Sequence, residues 1–240
     1  YHRGGGGVSG GTIESAFTMK NYKTNYSIGH PFLLNSKDFI EKQNKEASKD
    51  TFKIKYIDSI KSWSAPFVMS IANTRVVRRS VELHELNQSG YGSDFTYKEF
   101  MNVKKYSSAL VVSIGLAILG LMIVSPISSL FRKLFAKPGS GPDKNTRDNG
   151  WFESIFIGKN TNNEFYKLRI YGDGDPGYKT TAKFICESAL CLVKSDGYLE
   201  NTNKGGVLTT ATGLGDHLIK RLKNADILFE GPEKIAKTIT

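Results

Sequence analysis

The sequence contains a stretch of 26 residues without a charged side chain, from Tyr106 to Phe131, with two basic residues at either end. About 20 apolar residues in a helix suffice to cross the core of a bilayer. Only a helix satisfies every backbone polar group of such a segment in lipid. The stretch therefore predicts a membrane-associated helix. The side chains predicted to contact lipid are Leu110, Val111, Ile114, Leu116, Ile118, Leu119, Leu121, Met122 and Ile123.

The topology of this segment stays open at the level of sequence. Its densest apolar part, Ala109 to Val124, is shorter than the whole, and Pro126 predicts a bend. A full span, a bent re-entrant element and an interfacial anchor all fit the pattern. Lys and Arg flank both ends, so the positive-inside rule assigns no orientation. The alternative is a buried central helix of a soluble domain.

Length and charge limit the class of protein. The chain has 240 residues, enough for one large or two small domains, and its start at Tyr1 within a glycine run predicts a piece of a longer protein. A net charge of +10 fits nucleic acid or an anionic membrane surface. Because the bases are scattered, without a zinc pattern or an aromatic-basic block, we expect membrane lipid as partner and no nucleic acid.

A basic cluster marks the helix predicted to open at Ser64-Ala65-Pro66 and to run to about Leu86. Its arginines, Arg75, Arg78 and Arg79, lie within five residues, and Arg78 and Arg79 are spaced to pair with Glu82. Either this is a solvated, ion-paired face, or guanidinium groups bind an anionic substrate there. For the second case the predicted substrate-binding residues are Asn73, Thr74 and Arg75. The apolar face is predicted at Val68, Ala72, Val76 and Leu83.

The glycine run near the start matches G-x-G-x-x-G at Gly5, Gly7 and Gly10. The dinucleotide fingerprint needs a buried strand before the glycines and an acidic residue about 20 positions later, and this sequence has neither signal. We therefore predict a turn that lets the following helix, capped by Thr12, pack closely. The alternative is an anion or cofactor edge formed by Ser9, Gly10 and the free N–H groups at the helix start.

Strands and helices are mixed along the chain, which predicts an α+β or mixed α/β fold with a mixed sheet and packed helices, interrupted by the membrane-associated helix. The boundaries follow composition: residues 1–105 form the first part of one domain, 106–131 the apolar segment, 132–150 a linker and 151–240 the second part. The other predicted elements are a helix at 36–44, strands at 51–58, 151–158, 164–171, 205–210 and 226–229, and a helix at 214–223. A further helix follows Thr180 or Thr181, with a core-facing stripe of Ala182, Ile185, Cys186, Ala189, Leu190 and Val193.

Metal and disulfide signals are weak. Asp173 and Asp175 begin a turn that resembles a calcium loop, but Phe184 stands where the bidentate Glu is required, so we expect no metal. Cys186 and Cys191 fall on different faces of their helix, which argues against a mutual disulfide and for a reducing compartment.

Four blocks follow one another along the chain: GGGVSGGTIES at 5–15, APFVMSIANTRVVRRS at 65–80, GDGDPGYKTTAKFICESAL at 172–190 and GGVLTTATGLGDHLIKRLKNADILFE at 205–230. Together they resemble the saccharopine dehydrogenase-like oxidoreductases, including the trans-acting enoyl reductases. The resemblance implies an upstream Rossmann domain that binds NAD(P), and association with a lipid droplet, the endoplasmic reticulum, a mitochondrion or another intracellular membrane. It supplies no catalytic motif that can be placed on residues of this chain.

Two functions therefore compete. In the first, the chain is the membrane-associated C-terminal domain of an NAD(P)-dependent oxidoreductase, with a lipid as the candidate substrate, and NAD(P) binds the full-length protein but not this chain alone. In the second, it is a non-catalytic structural or accessory subunit that keeps the fold within a larger membrane-associated complex. The expected partners are membrane lipid and the missing Rossmann domain or other subunits.

Overall fold

The computed structural model describes residues 1–6, 10–19, 29–86, 90–92, 94–133, 139–194 and 206–236. Within them a seven-stranded mixed sheet carries nine α-helices, which confirms the predicted mixed α+β class. The strands are β1 His2–Gly5, β2 Lys55–Ile57, β3 Ser62–Pro66, β4 Phe100–Val103, β5 Trp151–Lys159, β6 Phe165–Asp173 and β7 Leu228–Ile235. The helices are α1 Gly10–Met19, α2 Lys37–Lys42, α3 Ser70–Leu86, α4 Tyr106–Val124, α5 Ser128–Arg132, α6 Lys144–Asp148, α7 Lys179–Lys194, α8 Thr210–Gly213 and α9 Gly215–Asn224.

Strand β1 lies at the centre of the sheet, whose order is β2-β3-β4-β1-β5-β6-β7. It runs parallel to β4, with His2 opposite Met101, and antiparallel to β5, with His2 opposite Ser154. The first residues of the chain therefore join the half of the sheet formed before the apolar segment to the half formed after it.

The predicted strands at 151–158 and 164–171 are confirmed as β5 and β6, which form a hairpin. Strands β5 and β6 pair in antiparallel register from Trp151 opposite Asp173 to Lys159 opposite Phe165. Asn163 takes the left-handed conformation that the tight turn requires, with φ 61°. The last helix forms where predicted, as α9, and the predicted 36–44 helix is observed as α2 with Ser36 as its side-chain cap. The terminal strand predicted at 226–229 is displaced, since β7 begins at Leu228 and continues to Ile235.

Two predicted elements were wrong. Ser64-Ala65-Pro66 does not open a helix: it belongs to β3, which pairs along its length with β4, and α3 begins at Ser70. No strand forms over residues 206–209, because Thr209 instead caps the short helix α8 in a reciprocal capping box with Thr212. At residues 64–66 the sequence allows a helix start or a strand, and the pairing with β4 selects the strand. At Thr209 it allows a strand or a helix cap, and the hydrogen bonds with Thr212 select the cap.

The predicted strand at 51–58 is present only as β2, Lys55–Ile57, at the edge of the sheet. Phe52 lies before this strand and is exposed, and Tyr56, also exposed, makes an edge contact with Trp63 of β3 at a ring-centroid distance of 5.3 Å.

Helix α3 is oriented opposite to the prediction. Val76 is exposed and Val68 lies, also exposed, just before the helix, whereas Arg75 and Arg78 are buried. The buried arginines do not lie among apolar side chains alone, because backbone carbonyls and carboxylates from residues 29–50 and 97 surround them. Helix α3 thus holds the 29–50 segment through polar contacts.

Helix α7 is also turned away from the predicted orientation. Asp175, not Thr180 or Thr181, caps it, since the buried Asp175 carboxylate accepts the backbone N–H groups of Gly177, Tyr178 and Lys179. Phe184 packs on Phe152 of the sheet, and the predicted core-facing stripe points outward. Its exposed members are Ala182, Ile185, Cys186, Ala189, Leu190 and Val193.

The two cysteines lie on opposite sides of α7, as predicted. Cys186 is exposed and Cys191 is buried against Leu214, and neither forms a disulfide.

The uncharged stretch forms α4 up to Val124, and the chain turns at Pro126 before α5, which confirms the predicted bend. Helix α4 packs beside β3 and β4, with Trp63 in edge contact with Tyr106 and only Ala109 buried within the helix. Among the described helices it is the one long and apolar enough to cross a bilayer, judged by length and composition. Within the predicted linker at 132–150, Asp143 caps the short helix α6.

Candidate functional site

The predicted substrate-binding residues Asn73, Thr74 and Arg75 lie in the second turn of α3 with their side chains engaged inside the protein. Asn73 donates to Glu99 at 2.9 Å, and Thr74 donates to the carbonyl of Ser70 at 2.6 Å. Thr74 and Arg75 are buried. A role for these three residues in substrate binding stays a prediction.

Arg75 anchors the segment before β2. Its guanidinium contacts the Asp50 carboxylate at 2.7 and 2.8 Å and donates to the carbonyl of Gly29 at 2.9 Å. The pair is largely removed from water, with side-chain exposures of 3% for Arg75 and 19% for Asp50. A buried guanidinium is tolerated when a carboxylate and hydrogen bonds compensate its lost hydration, as they do here.

The neighbouring arginines differ from each other. Arg79 pairs with Glu82 at 2.8 Å as predicted, whereas Arg78 donates to the carbonyls of Pro31, Ser48 and Tyr97. Burial, followed by the nearby charge of Arg75, lowers the pKa of Arg78 to about 10, which still leaves it charged at neutral pH. The arginine cluster is therefore mainly a network that fixes the chain around α3.

A second polar cluster lies where β1 and β4 begin side by side. The Glu99 carboxylate accepts from the hydroxyl of Tyr97 and from Asn73, each at 2.9 Å, and lies 3.7 Å from Nε2 of His2. Nδ1 of His2 lies 2.8 Å from the Ser154 hydroxyl, and the ring stacks on Phe67. We refer to His2, Asn73, Tyr97 and Glu99 as the β1–β4 cluster.

Burial controls protonation in the β1–β4 cluster. It lowers the pKa of His2 to about 4 and raises the pKa of Glu99 and of Tyr97. His2 is therefore neutral at pH 7, while Glu99 holds its proton to higher pH than an exposed glutamate does. Nε2 of His2 is buried and has no hydrogen-bond partner among the described residues. The chemistry available here is that of a neutral imidazole beside a carboxyl group able to retain a proton.

No local sequence signal marks this cluster. Its members come from the first strand, the second turn of α3 and the residues just before β4, and only the parallel pairing of β1 with β4 brings them together. Glu99 and His2 are 97 positions apart, a separation with no recognisable spacing, so the sequence does not reveal the cluster.

The glycine turn packs against protein. A methyl group on Gly4 would lie 2.8 Å from the carbonyl oxygen of Trp151, and one on Gly6 would lie 2.8 Å from Asp175. The N–H of Gly10 donates to the carbonyl of Ser140 at 3.1 Å. These contacts agree with the predicted close-packing turn, while Gly7 and Ser9 lie outside the described residues. The expectation that no strand precedes the glycines was wrong, because β1, His2–Gly5, leads through this turn towards α1. Where the nicotinamide binds stays a prediction.

An open apolar groove of about 460 Å³ runs along α4 and includes some of the predicted lipid-contacting residues. Of the others, Leu110, Val111, Ile114 and Leu121 are exposed and Ile123 is half-buried. The groove is lined by Val112, Gly115, Leu116, Ile118, Leu119 and Met122.

No group of three or more metal-ligating side chains occurs among the described residues.

Comparison with known proteins relates the chain to proteins named as oxidoreductases. A putative trans-acting enoyl reductase of Mycobacterium tuberculosis is 30% identical over 249 residues, which cover 94% of this chain and 56% of the relative. Trans-acting enoyl reductases of Mycobacterium bovis and Mycobacterium ulcerans are also 30% identical, over 70% and 69% of this chain and 40% of their own lengths.

The chain spans about half the length of these relatives. No family model and no solved structure matches it.

Proposed function

We propose that this chain is the membrane-associated part of a nicotinamide-dependent reductase of the saccharopine dehydrogenase-like class, and that the reductase acts on a lipid-like enoyl substrate. The observation that carries the proposal is the 30% identity to a putative trans-acting enoyl reductase along 94% of the chain. The exposed apolar surface of α4 supports the membrane contact.

The nicotinamide is proposed to bind outside these 240 residues. The glycines at the start of the chain fit a packed turn, since added methyl groups would collide with Trp151 and Asp175. When bound elsewhere in the full enzyme, the cofactor would supply hydride.

The contribution proposed for this chain is to hold the substrate at a membrane surface. A lipid-like substrate is drawn from the bilayer, so an apolar helix at the protein surface shortens its path to the reaction centre. Asn73, Thr74 and Arg75 remain the proposed polar contacts, and Asn73 also belongs to the β1–β4 cluster through its hydrogen bond to Glu99.

The test compares the 240-residue chain with the longest natural product that contains it. Calorimetry should show no NADPH binding to the chain alone. The longer product should bind NADPH and consume it in the presence of a long-chain enoyl thioester. Saturable micromolar binding of NADPH to the 240-residue chain would overturn the proposal that the nicotinamide binds outside it. A longer product that neither binds NADPH nor reduces the thioester would favour an accessory subunit.

A further inference from the structure

Helix α4 is attached to the sheet at its start. It begins at Tyr106, just after β4, and the Tyr106 ring contacts Trp63 of β3 with ring centroids 5.0 Å apart. One turn later Ala109 is completely buried. The first turns of α4 therefore rest on β3 and β4, while the remaining turns carry no charge on any side.

The chain after α4 returns to the same sheet. It turns at Pro126 into α5, where Nε of Arg132 donates to the carboxylate of Glu14 in α1 at 2.7 Å. Helix α1 follows β1, and β1 is the parallel neighbour of β4, the strand that leads into α4. Both ends of the uncharged stretch are therefore attached to one folded body.

These attachments bear on how α4 can meet a bilayer. With 19 residues, α4 is about 28 Å long, close to the thickness of the hydrocarbon core, so its length alone would allow a crossing. A crossing would put Tyr106 and Arg132 on opposite surfaces of the bilayer. It would thereby separate Arg132 from Glu14, or carry α1 across the bilayer from β1. The attachments at both ends favour entry and exit on the same side.

Exposed basic side chains lie at both ends of α4. Two lysines precede the helix and another follows Arg132. Lys61 lies close to the first two, because the next residue, Ser62, donates its hydroxyl to the carbonyl of Val103 at 2.8 Å. We name Lys61, Lys104, Lys105, Arg132 and Lys133 the α4 collar.

We propose that α4 enters one leaflet of an anionic bilayer without crossing it, and that the α4 collar contacts anionic headgroups at both ends of the helix. The proposal rests on the membrane contact in the proposed function. Charge complementarity selects this partner, because an uncharged apolar helix suits hydrocarbon and the cations at its two ends suit an anionic surface on the side of entry. The contacting rings of Tyr56, Trp63 and Tyr106 beside the start of α4 are of the types enriched at that boundary.

The first test compares flotation of the 240-residue chain with vesicles of phosphatidylcholine and with vesicles of equal parts phosphatidylcholine and phosphatidylglycerol. The chain should bind the anionic vesicles roughly tenfold or more tightly, and added salt should reduce this preference. The triple variant Lys61→Gln/Lys104→Gln/Lys105→Gln should lose the preference. The matched control, which should keep it, removes the same charge from exposed positions of β5, α7 and α9: Lys159→Gln/Lys194→Gln/Lys220→Gln.

The outcomes separate this proposal from the proposed function. Equal binding to both kinds of vesicle, or equal effects of the two triple variants, would overturn the role of the α4 collar and leave the membrane contact standing. A chain that binds neither kind of vesicle would overturn both.

The second test reads the topology. Lys105→Cys and Lys133→Cys are each made in a Cys186→Ser chain, so that the buried Cys191 is the only other thiol. After addition to preformed anionic vesicles, both new thiols should react with a membrane-impermeant maleimide from outside, whereas Ile118→Cys, in the middle of α4, should be protected. An end that reacts only after the vesicles are dissolved would show that α4 crosses the bilayer, and the proposal would be wrong. A thiol at position 118 that reacts as fast as the ends would show that α4 stays outside the lipid, with the same consequence.

Discussion

Arg75 and Asp50 form an ion pair at 2.7 Å in which the guanidinium is only 3% exposed, although their positions are 25 residues apart. The pair joins α3 to the segment that leads into β2, and the carbonyl of Gly29 completes the arrangement. The sequence presents Arg75 as one of three similar arginines, but the structure gives it a distinct role.

Arg75→Gln should therefore lower the free energy of unfolding by about 3–5 kcal/mol, because it leaves the carboxylate of Asp50 and the carbonyl of Gly29 without their partner. Arg79→Gln is the matched control. Its side chain is 31% exposed and pairs with Glu82, which Asn35 and Ser36 also bond. Arg79→Gln should cost about 1 kcal/mol or less.

Urea denaturation of both variants measures this difference. Equal costs for the two substitutions would contradict a structural role for Arg75. An Arg75→Gln protein with unchanged stability but reduced activity would instead support the predicted substrate contact.

The fold was predictable where neighbouring residues determine it. The hairpin of β5 and β6 follows from two alternating runs around Asn160 to Asn163, and α2 follows from Ser36 as its cap. Strand β3 was missed because its pairing with β4 is made by residues almost 40 positions away. Pro66 suits a helix start or the end of a strand, and only this distant pairing selects the strand.

The burial of helix faces could not be predicted from periodicity. Arg75 and Arg78 lie on the inner side of α3 because residues from 29 to 50 supply oxygens to them, and Ile185 lies on the outer side of α7 because Phe184 and Glu187 make the inner contacts. Periodicity shows that a helix has two faces. It does not show which face meets the sheet when polar groups have buried partners.

Two groups of the β1–β4 cluster, His2 and Glu99, should change the free energy of unfolding with pH in opposite directions. The pKa of His2 is lowered to about 4, so the unfolded chain alone takes up this proton as the pH falls from 6.5 towards 4, and stability is lost there. The pKa of Glu99 is raised, so its contribution is present below the unfolded value near 4.5 and is lost as the pH rises through the folded value.

His2→Gln should remove the first contribution, which amounts to about 2–3 kcal/mol between pH 6.5 and 4. Over that range the variant should lose less stability than the wild-type protein. Glu99→Gln should do the opposite and make the acid loss steeper. Denaturation curves at intervals of half a pH unit measure both slopes, and parallel pH profiles for the two variants would contradict the assigned protonation states.

Asp175 should be among the residues most important for α7. Its carboxylate is fully buried and accepts three backbone N–H groups at 2.9 to 3.1 Å, so Asp175→Ala should cost about 2–3 kcal/mol. The control is Asp173→Ala, two residues earlier, which is exposed and bonds Tyr171; it should cost less than about 0.5 kcal/mol. Thermal unfolding in the presence and absence of Ca²⁺ gives both costs. A calcium-dependent rise in Tm that Asp175→Ala abolishes would show that the turn binds calcium after all.

The apolar surface of α4 gives the last prediction. Leu116 and Leu119 line its groove, so replacing both with Asp places two charges where lipid contact is proposed. Each charge at the centre of a membrane helix costs about 2.5–3.5 kcal/mol of insertion free energy, so the double variant should move from the membrane fraction to the soluble fraction. Val207→Asp, at a position that is 94% exposed and outside α4, should stay with the membrane. Flotation with liposomes separates the variants directly. A double variant that floats as the wild-type protein does would mean that α4 does not carry the membrane contact, and the exposed apolar residues of α4 would then have to be covered by protein.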